Sequence, residues 1–312
     1  MTILLTFRDN IKAYYSRYDY IFTPIVKFVF SLLLFFTLNA KMGYLAVLNN
    51  TLLVVLISII CAFLPIEVMA VIGGIFIVFH SAKVSLDVGL VAALFVLIFY
   101  CGFMRFSPKM GVIVFLVPFF NAAHIMYALP LLLGFLIGPA AVIPAAFGVI
   151  LYHYENGLSQ LVNVLAAQVE EDDTVGGYQY ILEVLIQNKE MLLTIVVFTF
   201  VILVTYVFYR MSFEHSWIVA FLMGGFLNVV LFLIGRVALS IEVEIGSVLL
   251  GSILSIIIAF IIQFFKGIVD YQKAELLQFE DEQYYYYVKA VPKVSVSVSN
   301  RNVKYINSKM QN

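Results

Sequence analysis

A succession of apolar runs long enough to cross a lipid bilayer constrains this chain more than any other feature. The runs occupy residues 21–40, 45–64, 66–81, 86–104, 110–151, 191–209, 215–235 and 244–265. A bilayer core is about 30 Å thick and takes about 20 helical residues. The runs are continuous rather than alternating, so they read as helices and not as the strands of a closed barrel. Composition agrees. Of 312 residues, 63% are hydrophobic and 12% charged, whereas a soluble domain carries about 25% charge. So much apolar surface needs lipid as its solvent. The expected fold is an all-α, polytopic transmembrane helix bundle.

Lysine and arginine placement orients it. Arg8, Lys12 and Arg17 precede the first run, Arg105 and Lys109 flank the loop RFSPK, Arg210 closes the 191–209 run, and Lys266 and Lys273 follow the last. The segment 152–190 instead holds seven acids (Glu155, Glu170, Glu171, Asp172, Asp173, Glu183, Glu190) against Lys189 alone. The basic loops and both termini are therefore expected in the cytoplasm, and 152–190 outside. The first twenty residues, with Arg8, Asp9, Lys12, Arg17 and Asp19, read as the flank of a retained anchor rather than a cleaved signal. Short loops and no organellar targeting segment favour a bacterial plasma membrane.

This orientation demands an odd number of crossings through 110–151. That stretch is too long for one straight span and holds Pro118, Pro130, Pro139 and Pro144. Proline removes a helix hydrogen bond and kinks or breaks the helix. One crossing plus a broken or re-entrant piece satisfies the count and brings the total to about eight. Irregular backbone at membrane depth survives only where protein buries it or a wet cavity adjoins it. An ordinary two-helix hairpin is the alternative, and it would reverse the topology beyond residue 151. The expected organisation is a cytoplasmic segment 1–20, a first helix group 21–151, an acidic amphipathic insertion 152–190, a second helix group 191–265 and a cytoplasmic tail 266–312. Within the insertion, Leu158, Leu161, Val162, Leu165 and Val169 share one helical face, and YQYILEVLIQNK makes a second amphipathic run. Ser85-Leu-Asp-Val-Gly and Ser240-Ile-Glu-Val-Glu-Ile-Gly each precede an inward-running span and hint at a repeat, although helix capping explains such residues as well.

Polar side chains at membrane depth are functional candidates because they are costly there. Asn121 and His124 lie three apart beyond Pro118, where a helix break would let them line one cavity. Glu67 follows Pro65 where two spans meet, and Asn228 sits mid-span. Each also has a plain reading: an interhelical hydrogen bond for Asn121, His124 and Asn228, and a favourable first-turn carboxylate for Glu67. Ser247, Gly251 and Ser255 recur every four residues, a pattern that lets helices approach closely.

Cys61 and Cys101 form no metal or redox spacing. No nucleotide-binding, zinc-hydrolase or serine-hydrolase motif is present, so no cofactor and no catalysis are expected. The net charge of −1 speaks against a nucleic-acid partner. In the tail, Tyr284, Tyr285, Tyr286 and Tyr287 follow acids, and Lys289 opens a basic stretch that runs on through alternating Val and Ser. Such a β-prone segment seeks another strand, on a cytoplasmic protein partner reached through 275–312 or on a second copy in a homo-oligomer. The leading expectation is a transporter or permease-type subunit without its own ATPase motif. The other is a membrane scaffold that docks a partner through the tail.

Overall fold

The computed structural model describes residues 2–167, 176–212, 215–266, 275–280 and 285–290. The EEDD turn at 170–173, Tyr284 and the Val/Ser alternation lie outside them. Two units compose the chain, Asp19–Ile262 and the pair Met1–Tyr18 with Gln263–Asn312. The smaller unit holds α1 (Thr2–Arg17) and a two-stranded antiparallel hairpin, β1 (Glu275–Glu280) and β2 (Tyr285–Ala290). Phe279 pairs with Tyr286 and Gln278 with Tyr287.

The larger unit is helical: α2 (Asp19–Met42), α3 (Thr51–Phe63), α4 (Ile66–Val84), α5 (Leu86–Phe99), α6 (Ile113–Ala122), α7 (Leu129–Leu136), α8 (Val142–Ala167), α9 (Gly177–Ile186), α10 (Lys189–Arg210), α11 (Ser216–Leu239) and α12 (Ile245–Lys266). The last helix continues into the smaller unit. Among the described residues six helical stretches are long and apolar enough to span a membrane: 19–42, 66–84, 86–104, 189–210, 216–239 and 245–266. Only 22–44% of each apolar window is buried inside the protein. Phe63, Leu90, Phe226, Val237 and Leu250 all stand exposed. A surface of this kind is covered by lipid. The chain is a multi-pass membrane protein.

Two apolar cores share α8. Its Leu151, Tyr154, Leu158 and Leu161 face a first core built on α2, α4 and α5, with Phe35, Phe76 and Phe99. Its Ala145 and Val149 face a second core on α7, α10, α11 and α12, with Phe198, Phe221 and Phe232. The amphipathic run 157–169 reads in sequence as a helix of its own on the insertion, but as far as Ala167 it continues α8 without interruption. Gly157 is the weakest helix former between Leu151 and Leu158, and one glycine costs a helix about 1 kcal/mol.

The second span starts later than its hydropathy suggests. Residues 43–50 fold into turns, and the Asn50 side chain accepts from Leu52 N to start α3. His80 holds this loop. Leu45 N donates to His80 Nδ1 at 3.1 Å, and Nε2 donates to Asn39 Oδ1 at 2.9 Å. Asn39 Nδ2 in turn donates to Leu48 O. The ends of α2 and α4 therefore meet here, and their opposite ends meet where Lys27 Nζ donates to Leu64 O.

The proline-rich stretch is broken, but not at Pro118, which sits inside α6. The break comes at His124, whose φ is +58°. Ile125 N donates to Phe120 O and His124 N to Asn121 O, both at 2.9 Å. This pair of bonds closes a helix through a left-handed residue. A second stop follows α7 at Gly138, with φ +84° and ψ −153°, a region open essentially to glycine alone. At 1.5 Å per residue, α6 and α7 are about 15 and 12 Å long, roughly half a bilayer core. α6 packs on α8, with Val114 and Val117 against Gly148, and α7 packs on α10, with Gly134 against Ile202.

Gly138→Ala is expected to destabilise by about 2 kcal/mol or more, because its Cβ would also fall 2.6 Å from Tyr206 Cδ2. Gly102→Ala, in the helical stretch 86–104 with nothing within 4 Å, should hold or raise stability, by up to about 1 kcal/mol. Thermal unfolding in detergent compares the two.

Candidate functional site: a polar pocket above a helix break

The tip joining α6 to α7, residues 123–128, packs into the second helix group through Met126 and Ala128, which are buried, while Ala123 and His124 are exposed. Tyr127 O accepts from Asn228 Nδ2 at 2.9 Å, and Asn228 is the middle of α11 (Ser216–Leu239). The Tyr127 ring stands edge-on to Phe232, 4.9 Å between centroids. Gly251 on α12 lets the tip approach closely, since a Cβ there would lie 2.9 Å from Tyr127 Cβ.

A pocket of about 200 Å³ opens above this tip. Asn121, from the last turn of α6, His124, Met126 and Tyr127 form its floor. Tyr152 of α8 lines the wall. Glu190, in the first turn of α10, lies on the rim with Glu242 and Glu244 of the α11–α12 link and with Ser247. Asn188 caps α10 by accepting from Met191 N at 2.7 Å, which places Glu190. Ser247 Oγ donates to Glu244 Oε2 at 2.7 Å. Three carboxylates and no Lys or Arg line the pocket, so its potential is negative and attracts cations. Among the described residues no three His, Cys, Asp or Glu side chains stand close enough to hold a metal ion.

The structure thus brings Asn121 and His124 into one pocket and sets Asn228 directly behind its floor. It leaves Glu67 apart. Glu67 sits in the first turn of α4, near Leu64 and Lys27, whereas the pocket lies towards the other end of that helix, where Tyr154 of α8 donates to Ser81 Oγ at 2.6 Å. Sequence reasoning did not assign Tyr127, Tyr152, Glu190, Glu242 or Glu244 to a site. A signal was present, because all three acids stand at span junctions in the acidic segment or in the Ser240-Ile-Glu-Val-Glu motif. That motif proves unlike its partner: Ser240 is left-handed at the end of α11, while Ser85 is extended and leads straight into α5. In the tail, Tyr285, Tyr286, Tyr287 and Lys289 lie on β2, and Tyr287 is exposed.

A second polar cluster lies on α8 outside the six long apolar helices. Asn188 Nδ2 donates to His153 Nδ1 at 3.2 Å. Glu155 is 2% exposed and its Oε1 has no hydrogen-bond partner.

Comparison with protein-family models, with curated proteins and with solved structures finds no match to this chain.

One outcome follows from this geometry. A left-handed non-glycine residue is strained, so His124→Gly should hold or raise stability, by up to about 1 kcal/mol, and His124→Val should lower it. A melting series in detergent checks this, and a loss in the Gly variant would mean that the imidazole braces the turn.

Proposed function

We propose that this chain is a transporter or permease-type membrane subunit whose polar pocket receives a cationic solute from the extracytoplasmic side. The observation that carries this reading is the pocket itself: broken-helix backbone, Asn121 and His124 on its floor, three carboxylates on its rim. Discontinuous helices with polar tips at mid-depth are what carriers use to bind solutes. In this arrangement α6 and α7 are a re-entrant hairpin that enters and leaves on the basic, cytoplasmic side. Their half-bilayer lengths and the meeting of Tyr127 with the middle of α11 support it. Helices α2, α3, α4, α5, α8, α10, α11 and α12 then make eight crossings, with both termini cytoplasmic in a bacterial plasma membrane. The lysine and arginine distribution favours the same count. The subunit is non-enzymatic and, without a nucleotide-binding motif, acts as a secondary carrier or beside a separate ATPase.

The scaffold reading keeps one specific support, the β1–β2 hairpin. A lone two-stranded ribbon is marginal in water, and Tyr287 and Val288 are both exposed, which suits strand addition by a cytoplasmic partner or a second copy.

Proteoliposomes holding the full chain should take up labelled methylammonium above the level of empty liposomes, and acetate should not enter above that level. Glu190→Gln and Glu244→Gln together should cut the uptake about tenfold or more. If neither solute enters above empty liposomes, while deletion of 275–312 strips a defined partner from the protein in cells, the carrier reading yields to the scaffold.

A further inference from the structure

Behind the pocket floor, α10, α11 and α12 enclose polar groups whose hydrogen bonding is incomplete. Asn228 is 1% exposed. Its Nδ2 donates to Tyr127 O and to Ser252 Oγ, each at 2.9 Å. Ser252 Oγ already donates its proton to Val248 O at 2.8 Å, so it can only accept from Asn228. Both neighbours of the amide are therefore acceptors, which fixes its NH2 group towards them. The Oδ1 atom is left buried with no partner. One turn back along α11, Gly224 faces Thr205 of α10, whose Oγ1 is likewise buried and unpartnered. An orphaned buried polar atom costs about 1–3 kcal/mol, and hydrocarbon supplies no water to relieve it.

Helix gluing accounts for the two bonds that Asn228 makes but not for the two oxygens left over. These oxygens follow on from the pocket. Tyr127 lines the cavity and gives its carbonyl to Asn228, and Ser247 on the rim is followed along α12 by Ser252 and Ser255, both buried. We propose that Asn228 Oδ1 and Thr205 Oγ1 form a second, deeper station for the cation, reached from the carboxylate-lined pocket when the α6–α7 tip moves aside. This rests on the carrier reading and extends it. The rim selects by charge, and the inner station then holds the cation with neutral oxygens, which bind it weakly enough for release. The ligand class is a small monovalent cation that neutral oxygen can coordinate or hydrogen-bond, an alkali ion or an ammonium group. Asn228 also gates this step, because its amide latches Tyr127 O and so holds the tip over the station.

The test uses the full chain in proteoliposomes with Cys61→Ser and Cys101→Ser, bearing a single added cysteine at Ser247, Asn228 or Ser252. Each is treated from outside with membrane-impermeant methanethiosulfonates of equal thiol reactivity, one carrying trimethylammonium and one sulfonate, and rates are compared rather than extents. Ser247→Cys should react about tenfold or more faster with the cationic reagent. Asn228→Cys and Ser252→Cys should show the same preference at lower absolute rates. Since Asn228→Cys removes two hydrogen bonds, Ser252→Cys reads the same station with Asn228 intact, and a cationic preference at either position supports the proposal. If Ser247→Cys shows the preference while both deeper positions are inert or indifferent to charge, the deeper station is overturned and the pocket stands. If Ser247→Cys itself shows no preference, the cation-receiving pocket fails and the deeper station falls with it.

Discussion

A helix that stops among apolar side chains must still satisfy its last carbonyl groups, since those side chains offer them nothing. The rest of this structure depends on how residues 113–142 meet that demand. The chain turns through His124 in the left-handed region, and the amides of His124 and Ile125 return to Asn121 and Phe120. It stops again at Gly138, where Gly138 N donates to Leu133 O. The carbonyl left at the tip, Tyr127 O, is taken by a side chain from α11. Two short helices thereby exist where their lengths would otherwise forbid them.

That solution requires neighbours. α6 needs α8 beside it and α7 needs α10, and both contacts are close because Gly148 and Gly134 carry no side chain. The shared helix α8 joins the two apolar cores, so the hairpin is held by both. The tip meets α11 and α12 through Asn228, Phe232 and Gly251. Buried polar groups are tolerated because they bond to one another, and the exceptions among the described residues are few: Thr205 Oγ1 on α10, Asn228 Oδ1 on α11, and His153 Nε2 and Glu155 Oε1 on α8.

The pocket follows from the same geometry. The helix break supplies Asn121, His124, Met126 and Tyr127, and Glu190, Glu242, Glu244 and Tyr152 line the same cavity. Helix starts favour acidic residues, which accounts for Glu190 in the first turn of α10. It does not account for Glu242, which stands in the irregular link before α12.

Much of this was legible in the residues alone. Continuous apolar runs dictate helices in lipid, because a strand of the same composition would leave its edges unpaired. Four prolines in 110–151, set against the basic loop before it and the acidic segment after it, mark the place where a regular span cannot continue, and Asn121 and His124 follow directly from that break. The start of α3 at Thr51 was not legible, because hydropathy does not register the Asn50 cap or the hold of His80 on the loop. Nor was the position of the break, because Pro118 is tolerated inside α6 while a histidine takes the left-handed place usually given to glycine. Membrane immersion, helical class and the zone of irregularity were thus determined by sequence, since each depends on side chains near one another along the chain. Only the tertiary structure gathered Tyr127, Tyr152, Glu190 and Glu244 around one cavity, left Glu67 aside and set Asn228 against the tip, because those distances are decided by how α8, α10, α11 and α12 pack across gaps of tens of residues that no local pattern encodes.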